Sequence, residues 1–184
     1  MNIFILSTGR CGSTTFARAC RHIDNYSSGH ESRSGALGPT RLDYPPHHIE
    51  SDNRLVWFLG RLAERYPDPQ QVCYLHLWRD PEAVARSYAQ RLRPGMIIPA
   101  WLHGIHLGSE QQLPADALMV ARDYVTTVNS NIRHFLADRH HLTFELEQAA
   151  RDWPRFWQRI GARGDYAAAL ATFTVRHNAT PLLP

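Results

Sequence analysis

Residues 7 to 15 read S-T-G-R-C-G-S-T-T, an unusual concentration of groups able to hold an oxyanion. Gly9 and Gly12 let the backbone wrap closely around a ligand, and Ser13, Thr14 and Thr15 add hydroxyl donors. Arg10 adds a planar fork of charge, and a helix starting at about Thr14 would aim its partial positive end at the same point. The residue set suits phosphate or sulfate. A plain glycine turn with a Ser/Thr cap is the simpler alternative, but it leaves this convergence of donors unexplained.

A second cluster, R-D-P-E-A-V-A-R-S at residues 79 to 87, has the same setting. Arg79 ends an apolar run, Asp80 is suited to capping a helix, Pro81 fits its first turn, and Ser87 falls two turns along. Asp-Pro alone is a common helix start; its pairing with the first cluster gives it meaning.

The elements that must position these residues follow from the hydrophobic pattern. Residues 2 to 7 (NIFILS) form a short apolar run broken at once by glycine, which predicts a buried strand ahead of a helix from about 14 to 22. A second strand is expected at 23 to 28, followed by a long surface loop at 29 to 47, rich in glycine and proline. Leu55, Phe58, Leu59 and Leu62 mark an amphipathic helix over 52 to 65 with Asp52 as its N-cap. Residues 71 to 78 (QVCYLHLW) predict another core strand, and 81 to 92 a helix. The second half reads as helix around 116 to 138, strand at 141 to 146, and helices near 152 to 160 and 165 to 175. Alternating strands and helices predict one α/β domain spanning 1–184, with a central, mostly parallel sheet flanked by helices. In such sheets ligands bind beyond the carboxyl ends of the strands, where both clusters lie.

Composition narrows the options. The 184 residues are 43% apolar and 20% charged, as in a globular domain, with net charge +3. All 20 basic residues are arginine. A P-loop kinase or GTPase, which needs G-x-x-x-x-G-K-[ST], is thereby excluded. No basic stripe with interleaved aromatics marks a nucleic-acid groove. No segment reaches the roughly 20 apolar residues of a membrane span. Cys11, Cys20 and Cys73 form no C-x-x-C pair and no metal spacing, which fits a reduced, cytoplasmic setting without a metal. A cysteine-dependent phosphatase would place its arginine six positions after Cys11; that position is Ala17, and the arginine is Arg18.

With both clusters in this order, the chain resembles the sulfotransferases that use 3′-phosphoadenosine 5′-phosphosulfate (PAPS). Their first motif is a strand, a P-K-S-G-T-T loop and a helix holding the 5′-phosphosulfate. T-G-R-C-G-S-T-T at 8 to 15 is similar to it, with Arg10 in the lysine place, Cys11 in the serine place, and Ser13 and Thr14 matching the hydroxyl pair. Arg79 and Ser87 match the arginine and serine that grip the 3′-phosphate. The resemblance implies a P-loop-like sulfotransferase fold and a donor site of Gly9, Arg10, Cys11, Gly12, Ser13, Thr14, Thr15, Arg79 and Ser87. It also implies in-line transfer of a sulfuryl group from PAPS to a hydroxyl or amine on a small molecule or glycan, with no metal required. Arg10 would stabilise charge on the departing phosphate, although arginine, unlike the family's lysine, is a poor proton donor.

Family members place a histidine or glutamate base after the second or third strand. G-H-E-S at 29 to 32 offers His30 and Glu31, of which one faces the site, since neighbours in an extended segment point opposite ways. Glu31 is preferred, because relatives with arginine-rich sites use glutamate, while an imidazole titrates nearer neutral pH. His47 and His48 read as polar loop residues, and Trp57 and Phe58 as core. R-I-G-A-R-G-D-Y at 159 to 166 faintly resembles the family's R-K-G-x-x-G-D-W loop, which touches the 3′-phosphate, and is explained equally well by one helix ending at Gly161 and a second capped by Asp165. The acceptor pocket is expected to form from 29 to 47 and 91 to 115. A binding module that has lost catalysis is the other reading of the same residues.

Overall fold

The apolar run after Met1 folds as β1 (Asn2–Leu6), buried along its whole length. The computed structural model describes residues 1–93 and 96–174. β1 is central in a five-stranded sheet of order β2-β3-β1-β4-β5, the others being β2 (Ser27–His30), β3 (His48–Ser51), β4 (Val72–Trp78) and β5 (His141–Glu145). Every pairing is parallel. Leu6 is in register with His76 of β4, and Ile5 with Ser51 of β3, so the loops after β1, β3 and β4 leave the same edge of the sheet. This is a single-domain α/β fold with a parallel sheet flanked by helices.

The helices cover two faces. On one, α1 (Ser13–Cys20) brings Phe16 into an aromatic cluster with Phe144, Trp153, Phe156 and Phe173, at ring separations of 5.0 to 6.3 Å. Trp153 and Phe156 lie on α6 (Ala149–Arg159), next to the short α7 (Tyr166–Ala171). On the other face, α5 (Leu113–Leu136) packs against α3 (Pro81–Ala89) and the short α4 (Ile97–Ala100), and its Phe135 meets Tyr74 of β4 edge-on at 5.1 Å. His76, also on β4, donates from Nε2 to Asn129 Oδ1 of α5, and burial pushes its imidazole down to about 4. It is a neutral core histidine. No helix among the described residues is long and apolar enough to cross a membrane.

The structure departs from the pattern-based expectation in three places. The second strand is not 23 to 28 but begins at Ser27; Ile23 instead makes an isolated antiparallel bridge to Gly164. The expected loop 29 to 47 carries the end of β2 and a 3₁₀ turn (Gly38–Leu42), and it leads directly into β3. β3 was hidden because its H-I-E-S sequence is polar, yet all four residues are buried. Ser27 Oγ meets His48 Nδ1 at 2.8 Å, His48 Nε2 meets Glu50 Oε2 at 2.9 Å, and the Ser32 amide donates to Glu50 Oε1 at 2.9 Å. Burial of these groups is tolerated because each has a partner. Hydrogen bonds from His48 and Ser32 keep the Glu50 carboxyl below its ordinary range despite the opposing effect of burial.

The third departure is the helix expected over 52 to 65, which splits into a 3₁₀ turn (Asn53–Trp57) and the short α2 (Leu59–Arg65). Phe58, at φ −124°, breaks the run, its ring held between the guanidinium groups of Arg41 and Arg61. Asp52 does cap the turn, accepting from the Arg54 amide at 2.8 Å, and its second oxygen pairs with buried Arg41. Toward the C terminus, Gly161 ends α6 at φ 60° and Asp165 caps α7 through the Ala168 amide. A 3₁₀ turn (Thr172–Thr174) follows; residue 175, the last of the expected helix, lies outside the described residues.

Candidate anion site at two strand tips

The turn after β1 is built from left-handed residues. Gly9, Arg10 and Gly12 have φ of 80°, 58° and 83°, and Gly12 is the N-cap of α1. For arginine this backbone is uncommon and must be held by its surroundings. Two tyrosine hydroxyls do so: Tyr88 of α3 and Tyr124 of α5 both donate to the Thr8 carbonyl, at 2.6 and 3.1 Å. Gly9 is an obligate glycine. A methyl there would collide with the Tyr88 hydroxyl and lie 2.9 Å from Nδ2 of Asn53, on a backbone that L side chains resist. Among the described residues, the amides of Cys11, Gly12 and Ser13 donate to no protein acceptor, at the start of a helix whose dipole favours an anion.

The second cluster meets this turn directly. Asp80 caps α3 through the Ala83 amide, with Pro81 in the first turn, so Arg79 leaves the end of β4 beside the β1 turn. Arg79 Nη1 donates to the Arg10 carbonyl at 3.2 Å, and Arg10 Nε donates to Ser87 Oγ at 3.1 Å. Arg10 is half-buried; burial and then the nearby charges of Arg91 and Arg79 lower its guanidinium from the ordinary value. Arg10, Arg79 and Arg91 thus lie near one another, and Arg79 also pairs with Glu147 at 2.9 Å. Guanidinium groups gathered in this way attract a ligand carrying several negative charges.

The other sequence-derived residues separate into two groups. His30, the last residue of β2, brings Nε2 to 3.2 Å from Ser13 Oγ and 3.5 Å from Thr14 Oγ1, so imidazole and hydroxyl pair lie together at the start of α1. Glu31 turns away at φ 51° and pairs with Arg54 at 2.7 Å. Cys11 and Thr15 are both buried, so their side chains do not face the space outside the turn. The Cys11 sulfur points inward to Thr8 Oγ1 and the Gly9 carbonyl, and burial pushes its thiol up to about 11.

Sequence reasoning missed Asn53, Tyr88, Tyr124, Arg91 and Glu147. Tyr88 follows the R-D-P cluster along α3 and was within reach of a helical-wheel argument, while Arg91 lies just past the end of that helix. Asn53, Tyr124 and Glu147 come from distant segments and carry no local signal. Trp57, read as core, is 39% exposed; its ring lies 5.7 Å from Trp101, which lies 5.7 Å from Tyr124. Trp101 and Tyr124 are buried, so of this aromatic row Trp57 is the ring open to solvent.

No family model and no curated protein matches the sequence. Among solved structures, the fold is similar to that of mouse sulfotransferase SULT7A1 complexed with PAP, with a TM-score of 0.57 and 13% identity. The match covers 98% of this chain and 68% of that one. At this identity the likeness establishes the sulfotransferase fold.

Proposed function

We propose that this chain transfers a sulfuryl group from PAPS to a hydroxyl or amine acceptor. The observation that carries the proposal is the contact between the two strand tips: Arg10 against Ser87 at 3.1 Å and Arg79 against the Arg10 carbonyl at 3.2 Å. One nucleotide phosphorylated at both its 3′ and 5′ positions matches a site with cationic groups from both tips. The amides of the β1 turn, Arg10, Ser13 and Thr14 would take the 5′-phosphosulfate end, and Arg79 with Ser87 the 3′-phosphate. The SULT7A1 structure contains PAP, the product such a donor would leave, which adds support.

Transfer breaks the bond between sulfur and the oxygen bridging to the 5′-phosphate and forms a bond from sulfur to the acceptor oxygen or nitrogen. Charge accumulating on the departing phosphate is met by fixed donors, the turn amides and Arg10. The acceptor's proton passes to a base. His30 is better placed than Glu31 for this, since Glu31 is engaged by Arg54. The acceptor is a small molecule or glycan, its body lying against the exposed ring of Trp57.

A labelled-transfer assay tests the proposal. Purified protein incubated with ³⁵S-labelled PAPS and a panel of hydroxylated and amino metabolites is expected to label an acceptor and release 3′,5′-phosphoadenosine (PAP). PAP binding without transfer to any acceptor would favour a module that only binds, in keeping with the poor acidity of Arg10. The raised thiol of Cys11 speaks against a cysteine phosphatase, which needs a thiolate near neutral pH. Cys11→Ala is accordingly expected to transfer at close to the wild-type rate, with a stability loss of about 1 kcal/mol for the vacated space. Loss of activity with stability intact would reinstate the phosphatase reading.

A further inference from the structure

Glu147 lies on the 3₁₀ turn Leu146–Gln148, between β5 and α6. Its Oε1 accepts from Arg79 Nε at 2.9 Å while Arg79 Nη1 holds the Arg10 carbonyl. The neighbouring Leu146 seats its side chain against the β1 turn: a methyl at Gly12 would lie 2.7 Å from both Leu146 Cδ atoms. This second contact shows that the whole turn leans on the anion-binding backbone. The ion pair itself remains open to water, its side chains being 32% and 50% exposed.

We propose that Glu147 is an exchangeable counter-ion for Arg79, releasing the guanidinium to a phosphate dianion when the nucleotide binds and reclaiming it when the product leaves. The inference rests on the nucleotide reading of the site. A partly exposed carboxylate pair is weak, whereas a phosphate dianion offers more charge and more acceptor oxygens to the same fork. Between turnovers the carboxylate keeps Arg79 neutralised and oriented beside Arg10 and Arg91. On binding, its displacement lowers the net affinity for every ligand that takes Arg79, and product release is faster as a result. A nucleotide without a 3′-phosphate leaves the pair intact and does not incur this exchange.

Calorimetry of wild type and Glu147→Gln with PAP, 5′-AMP and pyrophosphate tests the exchange. Glu147 is half-exposed, so the variant is expected to keep its fold, which its thermal midpoint checks. The variant is expected to bind PAP roughly fivefold more tightly, with 5′-AMP affinity changed by less than about twofold. Unchanged or weaker PAP binding would overturn the proposal, as would an equal gain for 5′-AMP, which would indicate general electrostatics. If PAP binds neither protein but pyrophosphate binds the variant more tightly, the exchange stands and the nucleotide reading falls. If pyrophosphate gains nothing either, both fall.

Discussion

Replacing His30 with alanine is expected to lower the rate of sulfuryl transfer at least about 100-fold while PAP affinity stays within about twofold of wild type. The split follows from where the side chain sits. Its Nε2 faces the Ser13 and Thr14 hydroxyls at the start of α1, the end of the site assigned to the phosphosulfate, and it is remote from Arg79 and Ser87 in the sheet order. The turn carrying it is pinned from beneath by Glu50. That buried carboxylate holds the Ser32 amide, and its Oε2 lies so close to Gly29 that an added methyl would be 2.6 Å away. A base presented this rigidly should act on the acceptor's proton and contribute little to donor binding. Single-turnover rates separate the alternatives. A loss confined to Glu31→Gln would move the base to Glu31, and unchanged rates in both variants would place it elsewhere.

Arg79→Ala is expected to weaken PAP binding by about 2 to 3 kcal/mol, a loss on the order of 30- to 150-fold. The guanidinium is aimed by the start of α3, where the Asp80 cap and Pro81 fix how the chain leaves β4. Its removal deletes a charge-assisted contact to the ligand and also the bond that steadies the Arg10 carbonyl, so the neighbouring turn loses a support. Arg79→Lys should recover only part of the loss, because an ammonium cannot bridge a carbonyl and a phosphate with the same planar fork. Donor affinity indifferent to Arg79→Ala would remove the second strand tip from the site.

Both tips were legible in the sequence because each is a local pattern, a strand ending in glycine or arginine and a helix start marked by Gly12 or by Asp80-Pro81. Their adjacency was legible only as an expectation, since order along the chain does not specify that β1 and β4 are neighbours. β3 escaped notice because partners on β2 and in the turn after it satisfy His48 and Glu50, and a pattern of polar residues cannot reveal satisfaction by distant groups. The same limit concealed Tyr124 and Glu147, which reach the site from α5 and from the β5–α6 connection. Choosing between His30 and Glu31 required the backbone: Glu31 is left-handed and bound to Arg54, a detail that strand alternation alone does not supply.

The most direct measurement is wild-type affinity, by calorimetry at fixed ionic strength, for PAP beside its two monophosphate fragments, 5′-AMP and 3′-AMP. Simultaneous grip by both strand tips requires PAP to bind at least about tenfold more tightly than either fragment, with the 3′-phosphate increment lost in Arg79→Ala. PAP and 5′-AMP binding equally well would contradict it.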